Sequence, residues 1–207
     1  MYIRNLRKPS PNKNIYKFVS RKNRSTIMCE SGLEFDACFH LEFSPSIASF
    51  ESQPTGIEYQ ADNKVRRYTP DFKIVKDTGE VEYIEIKPEQ IHSTQKFREE
   101  FDCKRAAYNT LGYKLILVSE KQIRNENLLA NLKVLHRYSS SGLSELHKLV
   151  LHHIKNAKSL SIRQLANKLD VLVGDCIAAC AMLIGIGLIK VDLEVELLCE
   201  HSLLNEA

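Results

Sequence analysis

Thr69-Pro-Asp-Phe-Lys-Ile-Val-Lys-Asp-Thr-Gly-Glu-Val-Glu-Tyr-Ile-Glu-Ile-Lys87 carries a Pro-Asp pair and, with thirteen residues between, an acid-x-lysine triplet. Asp71 opens an apolar run, Phe72-Lys-Ile-Val75, and Val81-Glu-Tyr-Ile-Glu-Ile-Lys87 forms a second. The Asp77-Thr-Gly79 turn between them makes a β-hairpin the expected local structure. Strand side chains two apart share a face. Glu85 and Lys87 should therefore point one way, and Ile84 and Ile86 into the core. The hairpin brings Asp71 beside Glu85. Two carboxylates there suit Mg²⁺, which takes hard oxygen ligands. Lys87 is placed to orient a water or offset phosphate charge. Taken singly, Pro-Asp is a turn fragment and an alternating charged strand is a solvated face. Their order on two strands of one hairpin points to a metal-dependent nuclease site.

A further acid is expected from a helix upstream. Residues 31–43, Ser-Gly-Leu-Glu-Phe-Asp-Ala-Cys-Phe-His-Leu-Glu-Phe, read as a helix with Ser31 as N-cap. Leu33, Ala37 and Leu41 form its apolar face, and Glu34 borders that stripe, whereas Asp36 and Glu42 are expected elsewhere. Alone, Glu34 would be a first-turn acid favoured by the helix dipole.

Several phrases occur in order: Ser31-x-Leu-Glu34, Leu41-Glu-Phe-Ser-Pro45, Phe50-x-Ser-Gln-Pro54, Tyr68-Thr-Pro-Asp-Phe72 and Glu85-Ile-Lys-Pro88. Together they resemble the TnsA family, the endonuclease subunits of Tn-seven-like heteromeric transposases, including those working with CRISPR effectors. Pro9-Ser-Pro11 and Lys13-Asn-Ile-Tyr-Lys-Phe18 also look like this family. The resemblance covers about the whole chain and is strongest over residues 1–120. It implies an α/β, restriction-endonuclease-like core with Glu34, Asp71, Glu85 and Lys87 as its catalytic positions. It implies a metal site of Glu34, Asp71, Glu85 and the backbone carbonyl of Ile86, holding one or two Mg²⁺, with Mn²⁺ as a substitute. Some members carry Gln where this chain has Glu85, and an anionic oxygen is the better metal ligand.

Composition agrees with a globular nucleic-acid enzyme. The chain has 207 residues, 43% hydrophobic and 27% charged, enough for one full core and a small second domain. No apolar run approaches the ~20 residues that span a bilayer. The N-terminus lacks a signal-peptide core, and the expected location is the bacterial cytoplasm, on the nucleoid when active. Six cysteines (29, 38, 103, 176, 180 and 199) include no C-x-x-C pair. Cys38 and Cys103 read as small hydrophobes in apolar helix patterns. Cys176 and Cys180, at helical spacing, lack the second pair a zinc site needs.

The net charge is +3, unevenly spread. Residues 1–26 hold Arg4, Arg7, Lys8, Lys13, Lys17, Arg21, Lys22 and Arg24 and no acid, which is +8, so the remainder is 3 − 8 = −5. This reads as a basic arm for phosphate contact, against the alternative of a solvated tail. Gln53, Arg66 and Arg67 are further DNA-contact candidates. Gln53 is equally readable as a turn residue and the arginines as solvated.

Residues 47–53 and 56–61 read as strands, 94–109 as a helix burying Phe97, Phe101 and Tyr108, 114–119 as a buried strand and 127–136 as a helix. A mixed sheet with flanking helices follows. Ser139-Ser-Ser-Gly142 reads as a linker dividing domains 1–138 and 143–207. Beyond it, helices over 143–154, 161–169 and 174–184 and β-like runs over 188–191 and 193–198 resemble a winged-helix domain. Its third helix lacks the basic residues a DNA reader would carry, so a protein-docking role is expected. His147, His152 and His153 on its first helix read as surface or capping residues.

The resemblance implies that the function is cutting of the 5′-end strands of a transposon. The resemblance implies action on double-stranded DNA at transposon ends, beside an integrase-like partner transposase. It also implies an ATPase regulator that meets the C-terminal domain. A stand-alone restriction or junction-resolving nuclease of the same fold is the nearest alternative. A non-catalytic assembly factor is the alternative of a different class.

Overall fold

The computed structural model describes residues 14–61, 63–139, 142–157 and 159–207. The chain forms two compact units, 1–124 and 125–207.

The first unit opens with a hairpin, β1 (Tyr16–Ser20) against β2 (Ser25–Cys29), followed by α1 (Gly32–Phe43). The hairpin turns a segment expected to be part of a basic arm into folded structure. Its inward residues, Phe18, Ser20, Ile27 and Cys29, are buried. Phe18 meets Phe39 edge-on at 5.0 Å and Phe35 at 5.9 Å. Glu42 anchors the turn, accepting from Ser20 Oγ (2.7 Å), Arg21 N (2.9 Å) and Lys22 N (3.0 Å). Asp36 accepts from Arg124 Nε at 3.1 Å. Both acids, expected away from the buried stripe, are thus buried, because the hairpin and Arg124 close over the helix. Glu42→Ala would leave the two turn amides without their acceptor, at a cost of about 3 kcal/mol. A urea melt with an unchanged midpoint would refute that.

Next come β3 (Ile47–Ser52), β4 (Ile57–Ala61), β5 (Lys64–Tyr68), β6 (Phe72–Lys76) and β7 (Val81–Lys87). A short α2 (Glu89–His92) and the long α3 (Gln95–Thr110) lead to β8 (Lys114–Ser119) and α4 (Glu120–Ile123). The sheet order is β3-β6-β7-β8, with β7–β8 parallel and the other pairs antiparallel. The β6–β7 hairpin forms as its sequence requires, with Gly79 at φ 85° in the turn. β4 and β5 pair as a separate two-stranded ribbon. Thr94 caps α3, whose buried residues are Phe97, Phe101 and Tyr108, as its periodicity predicts. β8 is an edge strand, only partly buried.

β7 is covered on both faces. Phe72 pairs with Ile84 and packs on Phe50, on the side of the Phe18 cluster. On the opposite side, Tyr83 meets Tyr108 of α3 at 4.7 Å. Glu85 is therefore buried as deeply as Ile84 and Ile86.

The second unit begins with α5 (Glu126–Tyr138), which packs on α8 (Val173–Gly185). The division into compact units falls at 124/125, ahead of the 139–142 segment expected as a linker. Helical periodicity shows that α5 has an apolar face but not which core receives it. The remaining elements are α6 (Glu145–Lys155), β9 (Leu160–Ser161), α7 (Ile162–Leu169), β10 (Ile189–Lys190) and β11 (Leu203–Glu206). The strands form one antiparallel sheet, β10-β11-β9. Residues 193–198, expected as a strand, are not one. Asn131 of α5 binds Leu193 O, Glu196 O and Leu198 N, each at 2.8 Å, so those backbone groups are engaged by a side chain. The strand is instead Leu203–Glu206. His147 closes a capping box with Ser144, as the capping reading expects. Cys38 is buried as expected, but Cys103 is exposed. No helix among the described residues is long and apolar enough to cross a membrane.

Candidate active site

The hairpin register sets the site. Phe72 pairs with Ile84, so one step back Asp71 lies opposite Glu85. Asp71 Oδ2 accepts from Ile86 N at 2.7 Å, which ties the carboxylate to the strand that carries its partner. On its other side, Gln53 donates its backbone N–H to Asp71 O at 2.8 Å, and its amide reaches Asp71 Oδ1 at 3.4 Å.

Glu85 divides its two oxygens. Oε2 accepts from the Tyr68 hydroxyl at 2.7 Å, and Oε1 meets the Lys87 ammonium at 2.8 Å. Lys87 Nζ also donates to Ile86 O at 3.0 Å and lies 3.8 Å from Asp71 Oδ2. One ammonium thus touches or faces the oxygens of Asp71, Glu85 and Ile86, three of the four groups expected to bind metal. It stands where a cation is wanted. A divalent ion would meet hard oxygen donors from two adjacent strands at this position, and in that respect the donor set fits Mg²⁺.

The electrostatics explain why. Burial and the neighbouring charge of Glu85 push Asp71 up to about 7, against the pull of Lys87. Burial works against the Lys87 ammonium, but Asp71 and Glu85 hold it charged beyond the usual lysine range. Burial and the Glu85 charge push the Tyr68 phenol far up, so it remains a donor. The two carboxylates share one ammonium.

Glu34 lies at the edge of this cluster. It is buried, and burial raises its pKa. Its charge is felt by both Asp71 and Lys87. Its own oxygens are occupied at the start of α1: Oε2 accepts from Glu30 N and Oε1 from Ser31 Oγ, both at 2.9 Å. Among the described residues, no three His, Cys, Asp or Glu side chains come close enough together to form a ready metal cluster. The strand acids and the lysine are gathered; the helix acid is beside them and still engaged locally.

Glu82, on the face of β7 opposite Glu85, is also buried. Lys76 (2.8 Å) and Lys114 (3.0 Å) neutralise it. It ties β6, β7 and β8 together and does not face the site.

The expected DNA-contact residues separate. Arg4, Arg7, Lys8 and Lys13 lie outside the described residues. Lys17, Arg21 and Arg24 are exposed on the β1–β2 hairpin. Lys22 is not an arm residue: its ammonium binds Leu41 O at 2.9 Å and Ser44 O at 2.6 Å, closing the C-terminus of α1. Arg67 pairs with Glu58 at 2.9 Å, and Arg66 hydrogen-bonds Tyr59, both across the β4–β5 ribbon. Gln53 is buried and turned toward Asp71. It sits at φ 47°, a left-handed backbone that costs a non-glycine residue about 1 kcal/mol or more. Tyr68 carried no sequence signal of its role beyond its place three residues before Asp71.

Residues 44–120 match the family model described as TnsA-like endonuclease N terminal. The matched segment contains Gln53, Tyr68, Asp71, Glu85 and Lys87. No curated protein matches the chain.

Proposed function

Since residues 44–120 are a TnsA-like endonuclease N-terminal domain, we propose that this protein is the Mg²⁺-dependent endonuclease of a heteromeric transposase, cutting the 5′-end strands of a transposon. The single observation that carries the reading is the convergence of Asp71, Glu85 and Ile86 O on the Lys87 ammonium. Asp71, Glu85 and the Ile86 carbonyl would hold the ion, with Glu34 as an outlying acid and Mn²⁺ as a substitute. When bound, Mg²⁺ supplies Lewis acidity toward a phosphate oxygen. Gln53 and Ile86 N–H orient Asp71. Tyr68 orients Glu85. Lys87, moved off the carboxylates, offsets charge that builds on the scissile phosphate or holds the attacking water.

The second unit is read as a winged helix that docks a protein partner, the ATPase regulator. Its order of helix, strand, helix, helix, strand, strand from α6 to β11 supports this. So does α8, the third helix of that order, which has no basic residue to meet phosphates. Strand choice would come from an integrase-like transposase that brings the transposon end into the site, supplying proximity.

The purified protein should cut end-containing duplex DNA poorly alone, and about 10²-fold or more faster with the transposase and regulator present. The assay is strand-resolved cleavage in Mg²⁺ and in chelator. Efficient specific cutting by the lone protein would favour a stand-alone nuclease. Complete assemblies that form without any metal-dependent 5′-strand cut would leave an assembly factor.

A further inference from the structure

We propose that Tyr68 is a positioning residue that holds Glu85 to one-oxygen coordination and so sets the site's preference for Mg²⁺ over Ca²⁺. The inference rests on the metal reading of Glu85 given above. The terminal torsion of a glutamate is broad and two-fold, so an unrestrained carboxylate turns freely and offers one oxygen or both. Here the symmetry is broken. The Tyr68 hydroxyl holds Oε2 at 2.7 Å, and Oε1 alone faces Lys87 at 2.8 Å.

The phenol is itself fixed. Tyr68 is buried at the end of β5, its ring edge-on to Tyr108 at 6.0 Å, with the Lys104 ammonium 4.6 Å from the ring centroid. The same short segment carries Asp71, whose carboxylate is tied to Ile86 N. Residues 68–71 therefore clip both strand carboxylates at once. Mg²⁺ demands near-octahedral geometry with short, single-oxygen contacts, whereas Ca²⁺ accepts bidentate carboxylates and higher coordination numbers. A glutamate locked through one oxygen favours the smaller ion.

The test is calorimetric binding of Mn²⁺, as the Mg²⁺ probe, and of Ca²⁺ to the full chain without DNA. Tyr68→Phe keeps the ring and removes only the donor. Mn²⁺ affinity should fall about tenfold, the scale of a lost hydrogen bond to a charged group. Ca²⁺ affinity should fall less or rise, so the Mn²⁺/Ca²⁺ ratio shifts toward Ca²⁺ by about threefold or more. In a Glu85→Gln background, adding Tyr68→Phe should no longer change the ratio, because the locked group is gone.

Equal loss of both ions in Tyr68→Phe, or an effect that persists undiminished beside Glu85→Gln, would make Tyr68 a packing residue and overturn the proposal. If Glu85→Gln weakens binding but Tyr68→Phe leaves the ratio unchanged, this proposal falls while the metal reading stands. If Glu85→Gln leaves both affinities at the wild-type value, the metal reading of Glu85 falls first and takes this proposal with it.

Discussion

Asp71→Asn should abolish cleavage and stabilise the fold. The loss of activity is expected to be on the order of 10³-fold, about 4 kcal/mol of barrier, because an anionic oxygen is removed from the centre of the donor set. The gain in stability has a separate cause. Asparagine can still accept from Ile86 N, as Asp71 does at 2.7 Å, and the Gln53 amide can turn to accept from the new NH₂. What disappears is a buried charge beside Glu85. The ordinary carboxyl ionises near 3.8 and the folded one near 7. The folded state therefore binds the proton more tightly across that window. Wild-type stability falls as pH climbs from about 4 to about 7, and above it the penalty is complete. At pH 8 the asparagine variant should be more stable by about 1–3 kcal/mol, with a flatter pH dependence. Chemical denaturation at pH 5 and pH 8 measures both. A variant destabilised at pH 8, or one that cuts normally, would remove Asp71 from the centre of the site.

Lys87→Met should separate binding from chemistry in an unusual direction. The ammonium lies on the same oxygens that a metal would use, at 2.8 Å from Glu85, 3.0 Å from Ile86 O and 3.8 Å from Asp71. A metal arriving without DNA must displace it. Methionine keeps an apolar stem against Phe97, whose centroid is 5.9 Å from Nζ, and removes the competing charge. Mn²⁺ should then bind about tenfold more tightly, a gain of roughly 1.4 kcal/mol. Cleavage should nevertheless fall by about 10²-fold or more, since the group that offsets phosphate charge is lost. Calorimetry paired with single-turnover cleavage is the measurement. Weaker metal binding in Lys87→Met would mean that the lysine supports the ion rather than holding its place.

Much of the site is legible in the sequence, and for local reasons. The β6–β7 hairpin follows from period-two alternation on both sides of an Asp-x-Gly turn. That alternation alone puts Asp71 beside Glu85 and Lys87 on the face of Glu85. Ser31 caps α1 because its hydroxyl meets the first free amides of the helix. Phe97, Phe101 and Tyr108 share a face through helical spacing. Each of these is decided by residues a few positions apart.

Other features depended on which surfaces meet. The β1–β2 segment reads as a basic arm because its exposed positions carry Lys17, Arg21 and Arg24. Its folding depends on Glu42, twenty or more residues away, binding the turn. Residues 193–198 have a strand-like pattern, yet Asn131 takes their backbone groups from across the second unit. Glu34 has the right place in sequence, but its own helix start competes for its oxygens. The donors that orient the carboxylates are equally remote: Tyr68 reaches Glu85 over seventeen residues and Gln53 reaches Asp71 over eighteen. Period and capping are properties of the chain's own neighbours, so the sequence alone determined the hairpin, the longer helices and the acid–acid–lysine set. A buried polar group must be satisfied by whatever packing places near it, so only the tertiary structure decided which side chains hold that set in position.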